Sequence, residues 1–345
     1  MSSSAPRRVL VIRLSAIGDV VNTLPAVTLL RRALPDAMLG FVVEDRARDV
    51  IVGHPLLDRV YVFPRKRWRG MLRHPASWRQ LAAEMRGWVR ELREVRWDVA
   101  LDVQSNLKGA AFAFASGAPR RIGFARGHDY ELNHLLSTEQ VVPPADRPHR
   151  VDKFASLPGA IGADGDAREY VLPADPSARE RITAWCAGAA VAPGTFVVLH
   201  PGTSDHGAEK RWPAESFGAL ARAVARDLRR PVLVTWGPGE ETLAERVCAL
   251  SEGAAKPGPP TASLLELVEL LRLAAAFVSA DTGPMHLAAA AGVPCVALFG
   301  PKDPAVYGPY GPGHLVLRPP GGGRVTADIA VDEVLAAVAA KAGAA

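Results

Sequence analysis

The chain has only three cysteines among its 345 residues, and they are scattered at Cys186, Cys248 and Cys295. This spacing matches neither a zinc motif nor a disulfide framework. No apolar run approaches the roughly 20 residues that a membrane-spanning helix needs. The first residues lack the apolar core of a secretory signal and lead directly into a strand pattern at 9–12. We therefore expect a protein of the reducing cytoplasm without a transmembrane segment.

Positive charge is concentrated in one part of the chain. The net charge is only +5, but residues 59–96 contain eleven lysines and arginines against three glutamates. Such a stretch favours an anionic partner, such as a phosphorylated lipid, a membrane surface or a nucleic acid. A solvated arginine-rich surface is the alternative interpretation.

Short apolar runs alternate with amphipathic segments along the whole chain. Continuous apolar runs of this length are typical of parallel strands covered on both faces, so the pattern predicts an α/β fold. The length fits two domains, which we place at 1–165 and 194–325, with a linker region at 166–193 and a last helix at 326–345. The predicted strands are 9–13, 38–43, 60–63, 99–103, 196–200, 232–235, 276–279 and 295–299, and the predicted helices are 20–33, 78–96, 213–229, 240–251, 264–273, 285–291 and 331–341.

The helix predicted at 78–96 has apolar residues at helical spacing, including Trp78, Leu81, Met85, Trp88 and Leu92. This spacing predicts one apolar stripe that packs on the sheet, with arginines on the outer face. Packing on the sheet is favoured over membrane insertion, although a basic outer face can lie near anionic lipid.

The segment 279–286, Ser-Ala-Asp-Thr-Gly-Pro-Met-His, changes from a buried strand to a helix within four residues. Thr282 is a good N-cap, and Pro284 suits the first helical turn because its missing N–H has no partner there. Free amides and the positive end of the helix dipole then favour an anion, and a phosphate or diphosphate is the natural occupant. An ordinary strand-to-helix turn is the alternative.

Asp19 follows the first predicted strand and a turn at Gly18. Aspartate is common at the N-cap position of helices, so Asp19 can have that structural role alone. At the carboxyl edge of the first strand, it is also placed to take a proton from a substrate hydroxyl as general base.

Three further positions follow strands of the second half. A small-residue loop at 201–204 contains Thr203 and Ser204, which can bind phosphate oxygens. Lys210 precedes the next helix and can neutralise a leaving diphosphate. Glu240 and Glu241 follow the strand at 232–235. Either carboxylate can accept hydrogen bonds from ribose hydroxyls there, and the sequence does not choose between the two.

These motifs in this order resemble glycosyltransferase family 9, the lipopolysaccharide heptosyltransferases. The matching segments are 13–19 with 23–25, 200–203, 210–213, 236–237, 281–286 and 299–304, so the resemblance spans nearly the whole chain. The basic segment 65–69, Arg-Lys-Arg-Trp-Arg, is similar to the enzymes that add the first heptose of the inner core. One departure is Ala16, which stands where a second hydroxyl is common. The other is that the family's ribose-binding acid does not align cleanly with Glu240 or Glu241.

The resemblance implies a GT-B fold, with two Rossmann-like domains facing across a cleft. It implies inverting transfer of heptose from ADP-L-glycero-D-manno-heptose to the Kdo of Kdo–lipid A, without a metal or other cofactor. By motif match, Asp19 is the general base and Lys210 contacts the donor phosphates. The remaining donor residues are Thr203, Ser204, Asp281, Thr282, Gly283 and His286; the expected acceptor residues are Ser15, Gly18, Arg65, Arg67, Arg69, Lys108 and Arg120, of which the cations are chosen by charge and approximate position.

The same resemblance implies a monomer that contacts the inner face of the inner membrane peripherally and binds no nucleic acid. Two alternatives stay open. One keeps the enzyme class but changes the donor sugar or makes the acceptor a protein. The other is a non-catalytic binder of nucleotide-sugars or nucleic acid that uses the basic stretch, which predicts salt-sensitive binding without turnover.

Overall fold

The computed structural model describes residues 5–166, 168–203 and 209–343. The chain divides into two compact units, Met1–Pro173 and Ala174–Ala345. Each unit is a parallel sheet covered by helices, which is the α/β architecture that the alternating pattern predicts. None of the described helices is long and apolar enough to cross a membrane.

The described part of the first unit contains a six-stranded parallel sheet in the order β3-β2-β1-β4-β5-β6. Because β1 is central and almost fully buried, the residues that follow it lie at the middle of the sheet's carboxyl edge. The strands are β1 (Arg8–Ile12), β2 (Met38–Glu44), β3 (Arg59–Phe63), β4 (Val99–Asp102), β5 (Arg120–Phe124) and β6 (Glu139–Val141), and the helices are α1 (Ile17–Val21), α2 (Leu24–Ala33), α3 (Arg65–Leu72), α4 (Trp78–Glu94), α5 (Leu107–Ala115) and α6 (Arg150–Gly159).

The described part of the second unit repeats this plan with the strand order β12-β11-β10-β7-β8-β9, again all parallel. Here β7 and β10 are central neighbours, so the loops that follow them meet at one edge. The strands are β7 (Val197–His200), β8 (Val232–Val234), β9 (Ala255–Pro257), β10 (Ala276–Ala280), β11 (Cys295–Leu298) and β12 (Leu315–Leu317), and the helices are α7 (Pro176–Gly188), α8 (Ala214–Asp227), α9 (Glu241–Leu250), α10 (Leu264–Arg272), α11 (Gly283–Ala290), α12 (Pro304–Tyr307) and α13 (Val331–Ala342).

The predicted stripe of α4 is only partly buried. Leu81 and Leu92 are buried, and Trp88 packs edge-on against Tyr61 and other aromatic rings. Trp78 and Met85, however, are 56% and 46% exposed. The expectation that the whole stripe packs on the sheet is therefore wrong, because two of its large apolar side chains are exposed to solvent.

Candidate active site

The turn after β1 places Asp19 in the short helix α1, at the central carboxyl edge of the first sheet. Its carboxylate forms ion pairs with two guanidinium groups: Arg13 Nη2 contacts Oδ2, and Arg150 Nη1 contacts Oδ1. Arg13 is itself fixed, because its Nη1 donates to the carbonyl oxygen of Val103 at 2.8 Å. Asp19 is thus a partly buried carboxylate whose orientation is set by one arginine that directly follows β1 and another at the start of α6.

Neighbouring backbone atoms in this turn are also held in place. The N–H groups of Leu14 and Ser15 donate to Gln104 Oε1 at 2.9 and 3.3 Å, and the Ser15–Ala16 peptide bond is cis. Gly18 is buried within α1, while Ser15 is half-buried. The predicted acceptor residues Ser15 and Gly18 therefore lie beside Asp19.

Helix α6 places a second cation, Lys153, near Arg150. The guanidinium carbons of Arg13 and Arg150 lie 4.8 and 5.9 Å from the centre of the Phe154 ring. Lys153 Nζ lies 4.6 Å from the centre of the Phe124 ring and donates to the carbonyl oxygen of His128 at 2.5 Å. Burial, and then the positive charges of Arg150 and Arg13, lower the pKa of Lys153 to about 8.

The cations predicted to bind the acceptor do not form one group. Arg65 and Lys108 meet at the fully buried carboxylate of Glu44, which lies at the carboxyl end of β2. Arg67 is exposed and pairs with Glu84, and Arg69 is exposed on α3. Of these, Arg65 and Lys108 share the sheet edge that carries Asp19.

The position of Arg120 contradicts the expectation that this residue binds the acceptor. It pairs with Glu139 at 2.6 Å and stands at the amino end of β5, in register with Val99 at the start of β4. Asp19 follows the carboxyl end of β1, so the two residues lie at opposite edges of the sheet. The assignment by charge and approximate position failed because strand β5 was not predicted.

In the second unit, Thr282 caps helix α11 as the sequence predicts. Its Oγ1 accepts a hydrogen bond from the Met285 N–H at 3.4 Å, and Gly283 and Pro284 form the first turn. Asp281, just before the cap, pairs with Lys210 Nζ at 2.6 Å, and His286 Nε2 lies 3.9 Å from its other carboxylate oxygen. The lysine, the aspartate, the histidine and the helix N-terminus therefore converge at the end of β10.

The loop after β7 is anchored by a residue that the sequence did not single out. Arg211 Nε donates to Thr203 Oγ1 at 2.9 Å, and its Nη2 donates to the Thr203 carbonyl oxygen at 2.7 Å. The side chain of Thr203 is thereby buried beside Arg211. The predicted donor residue Ser204 lies outside the described residues.

The structure distinguishes Glu240 from Glu241. The carboxylate of Glu240 accepts the Gly237 N–H at 2.9 Å and lies 3.8 Å from His200 Nε2, at the carboxyl edge of β7 and β8. Burial lowers the pKa of His200 to about 4, so its imidazole is neutral at pH 7. Glu241 is exposed in the first turn of α9.

Gly202 explains how the Glu240 carboxylate reaches this edge. A Cβ atom at Gly202 would lie 1.9 Å from Glu240 Oε2, so any side chain there would displace the carboxylate.

Across the described part of the chain, no group of three or more His, Cys, Asp and Glu residues is arranged to hold a metal ion.

Two parallel-sheet units of this kind, each with charged side chains beyond the carboxyl ends of its strands, form the two-domain GT-B architecture of a glycosyltransferase. Comparison with known families agrees. The model of glycosyltransferase family 9 (heptosyltransferase) matches residues 85–320, and the chain belongs to this family.

Individual relatives point the same way. The chain is 32% identical over 315 residues to lipopolysaccharide heptosyltransferase 1 of Pseudomonas aeruginosa, covering 88% of this chain and 81% of that protein. The structure of E. coli heptosyltransferase WaaC with ADP matches with a TM-score of 0.76 and 26% identity, over 95% of this chain and 97% of that one. The same enzyme with ADP-2-deoxy-2-fluoro heptose matches with a TM-score of 0.74 at the same identity and coverage. The predicted family, its likeness to heptosyltransferase I and the predicted GT-B fold are therefore confirmed.

Proposed function

We propose that this protein transfers heptose from ADP-L-glycero-D-manno-heptose to the Kdo sugar of a Kdo–lipid A acceptor, with inversion at the anomeric carbon. The observation that carries the proposal is the Asp19 carboxylate, held at the carboxyl edge of the first sheet by Arg13 and Arg150. The relatives named heptosyltransferase 1 support the substrate class. The nucleotide ligands of the similar WaaC structures support an ADP-sugar donor.

In this reaction Asp19 is the general base. It takes the proton of the acceptor hydroxyl while the hydroxyl oxygen forms a bond to the anomeric carbon of heptose. The bond between that carbon and the diphosphate oxygen breaks, and its electron pair leaves with ADP. Attack from the face opposite the leaving group inverts the configuration.

We assign to Lys210 and the N-terminus of α11 the role of stabilising the leaving diphosphate. A cation and free amides aimed at one place stabilise negative charge that develops there. Thr282 and Gly283 supply the helix end, while Asp281 and His286 line it. Because these groups provide the positive charge, we propose that the transfer requires no divalent metal.

Glu240 is our candidate for the ribose ligand, since its carboxylate lies at the sheet edge and that of Glu241 does not. Glu240→Gln is expected to weaken ADP binding by about 10-fold, because a charged acceptor is replaced by a neutral one. The adjacent Glu241→Gln is the matched control and should bind ADP within about 2-fold of the unmodified protein by calorimetry. Equal effects of the two substitutions would contradict the assignment.

A donor screen tests the function directly. The protein is incubated with ADP-heptose, UDP-sugars or GDP-sugars and a Kdo–lipid A acceptor, with and without a chelator, and release of the nucleoside diphosphate is measured. Turnover with ADP-heptose alone, unchanged by the chelator, is the expected result. Turnover with another donor would identify a different substrate, and loss of activity on chelation would contradict the metal-free mechanism.

A lipid-linked acceptor requires a membrane-facing surface, which we place on α3 and α4. Exposed apolar side chains at Leu72, Trp78 and Met85 lie among exposed arginines such as Arg79 and Arg86. Apolar side chains framed by cations are suited to the headgroup region of an anionic bilayer, and we therefore propose peripheral contact with the inner face of the inner membrane.

Flotation with vesicles tests this surface. The protein is expected to float with vesicles that contain phosphatidylglycerol, and Trp78→Ala with Arg86→Gln should reduce the bound fraction several-fold. Phe114→Ala with Arg121→Gln serves as the control pair, because Phe114 is 61% exposed and lies 5.7 Å from the guanidinium of Arg121 elsewhere in the same unit. Equal binding to neutral vesicles would exclude the electrostatic contact.

A further inference from the structure

The loop at 13–16 connects β1 to the short helix α1, and the path of its backbone determines where Asp19 lies. The side chain of the N-cap residue, Ala16, makes no hydrogen bond to the start of this helix. The loop therefore depends on contacts with its neighbours. On one side, backbone hydrogen bonds of 3.2 and 3.0 Å join Arg13 and Leu14 to the carboxyl end of β2.

On the other side of the loop, a side chain takes the place of a neighbouring strand. The N–H groups of Leu14 and Ser15 both donate to Gln104 Oε1, at 2.9 and 3.3 Å. The Gln104 N–H donates to the Ile12 carbonyl oxygen at 3.0 Å, directly beyond the end of β4. A side-chain amide oxygen has two lone pairs, so it can accept both N–H groups. Gln104 thus extends the contact between the two chain segments beyond the ends of β1 and β4.

The turn at 103–105 also holds the arginine that binds Asp19. The Val103 carbonyl oxygen accepts a hydrogen bond from Arg13 Nη1 at 2.8 Å, and Arg13 Nη2 pairs with the Asp19 carboxylate. The same turn therefore contacts the backbone that leads to Asp19 and the guanidinium group that binds its side chain. A displacement of this turn would move both.

Several contacts fix the turn itself. Ser105 has a φ of 56°, in the left-handed region, which non-glycine residues rarely adopt without support from their surroundings. Asp102 gives this support, since its Oδ1 accepts the Ser105 N–H at 3.2 Å and its Oδ2 accepts Asn133 Nδ2 at 2.5 Å. Gly109 of α5 leaves the necessary space, because a Cβ atom there would lie 2.2 Å from Asp102 Oδ1 and 2.6 Å from Gln104 Cβ. Backbone conformations held in this way are concentrated at functional sites.

We propose that Gln104 is a positioning residue for the transfer, whose side-chain oxygen fixes the loop at 13–16 so that the Asp19 carboxylate faces the acceptor hydroxyl. This inference rests on the proposed function, in which Asp19 is the general base. Gln104 takes no part in the proton transfer, because its side-chain amide has no acid–base chemistry near pH 7. It acts through geometry, since a base displaced by about 1 Å loses much of its effect on the rate.

Two substitutions of equal length separate the acceptor oxygen from the size of the side chain. Gln104→Met removes the acceptor and is expected to lower kcat by about 10- to 100-fold. The donor KM and the ADP affinity should change by less than about 2-fold, because the residues assigned to the donor belong to the second unit. Gln104→Glu keeps an acceptor oxygen and should retain kcat within about 5-fold. Gln140→Met, at an exposed glutamine of β6, is the control and should leave kcat unchanged.

A positioning role also predicts that the effect depends on Asp19. In an Asp19→Asn background, Gln104→Met should lower the residual kcat by less than about 2-fold, because the group that the glutamine positions is no longer a base. A residue that only supports the fold would lower the rate by the same factor in both backgrounds. Equal factors would therefore overturn the proposal, as would a loss with Gln104→Glu as large as that with Gln104→Met.

Amide hydrogen exchange tests the contact without turnover and shows whether each variant is folded. The N–H groups of Leu14 and Ser15 should exchange at least about 10-fold faster in Gln104→Met, while exchange in β10 is unchanged. Gln104→Ala removes the same acceptor and replaces the methionine variant in all measurements if that variant does not fold. Unchanged exchange at Leu14 and Ser15 would overturn the proposal.

The combined results distinguish this inference from the proposed function. Faster exchange with an unchanged kcat would overturn the positioning role and leave the proposed function intact. Faster exchange in the variant, together with no heptose transfer by the unmodified protein, would refute the proposed function and uphold the contact between Gln104 and the loop.

Discussion

Replacement of Asp19 by asparagine is expected to lower kcat for heptose transfer by about 10²- to 10⁴-fold, the range that general-base catalysis contributes. The amide keeps the size of the side chain and an oxygen for one arginine, but it cannot take the acceptor proton. The ADP affinity and the donor KM should change little, because the residues assigned to the donor belong to the second unit. Steady-state kinetics with varied donor and acceptor separate these effects.

Stability must be measured alongside the rate. Asp19 partly neutralises the buried Arg13, and loss of one partner of a buried ion pair destabilises a protein. Thermal unfolding with and without ADP distinguishes a folded, inactive variant from an unfolded one. Asp36→Asn, an exposed aspartate of the same unit, controls for the substitution itself. A folded Asp19→Asn variant with kcat within about 3-fold of the unmodified protein would exclude Asp19 as the base.

The central strands were predictable because they are continuous apolar runs. β1, β4, β7 and β10 are almost fully buried, and such strands leave a clear signal in the sequence. The edge strands β6, β9 and β12 have three residues each, which is too short to give a clear apolar pattern. They depend on pairing with a neighbour, so the local sequence does not predict them.

The helices α3, α6 and α7 were also not predicted, for different reasons. α3 begins Arg-Lys-Arg, so its only buried side chain, Trp68, gives no periodic pattern. α6 contains Pro158 near its end, and a proline inside an apolar segment argues against a helix. α7 lies within the predicted linker at 166–193, where alanine and glycine give a weak apolar period.

Local motifs at strand ends predicted the candidate site better than charge did. The Thr282 cap depends on residues adjacent in sequence, and the structure confirms it. Arg150 lies 131 residues from Asp19 and has no local signal, since only the fold brings α6 to the end of β1. Glu240 could not be separated from Glu241 because the choice depends on the turn geometry at Gly237 and on the space that Gly202 leaves.

Lys210→Gln is expected to lower kcat by about 10²- to 10³-fold, as when a group that stabilises a developing negative charge is removed. Two roles would give this loss. Lys210 can stabilise the departing diphosphate itself, or it can only neutralise Asp281, whose partly buried carboxylate would otherwise repel the phosphates. Lys256→Gln, an exposed lysine of the same unit, is the control and should leave kcat unchanged.

The double variant Lys210→Gln with Asp281→Asn separates the two roles. If the lysine only neutralises Asp281, removal of both charges restores kcat to within about 10-fold of the unmodified protein, because no uncompensated carboxylate remains. If the lysine stabilises the leaving group, kcat stays low in the double variant, since no cation replaces it. We expect the second result, because a leaving diphosphate gains more negative charge in the transition state than the helix N-terminus alone neutralises.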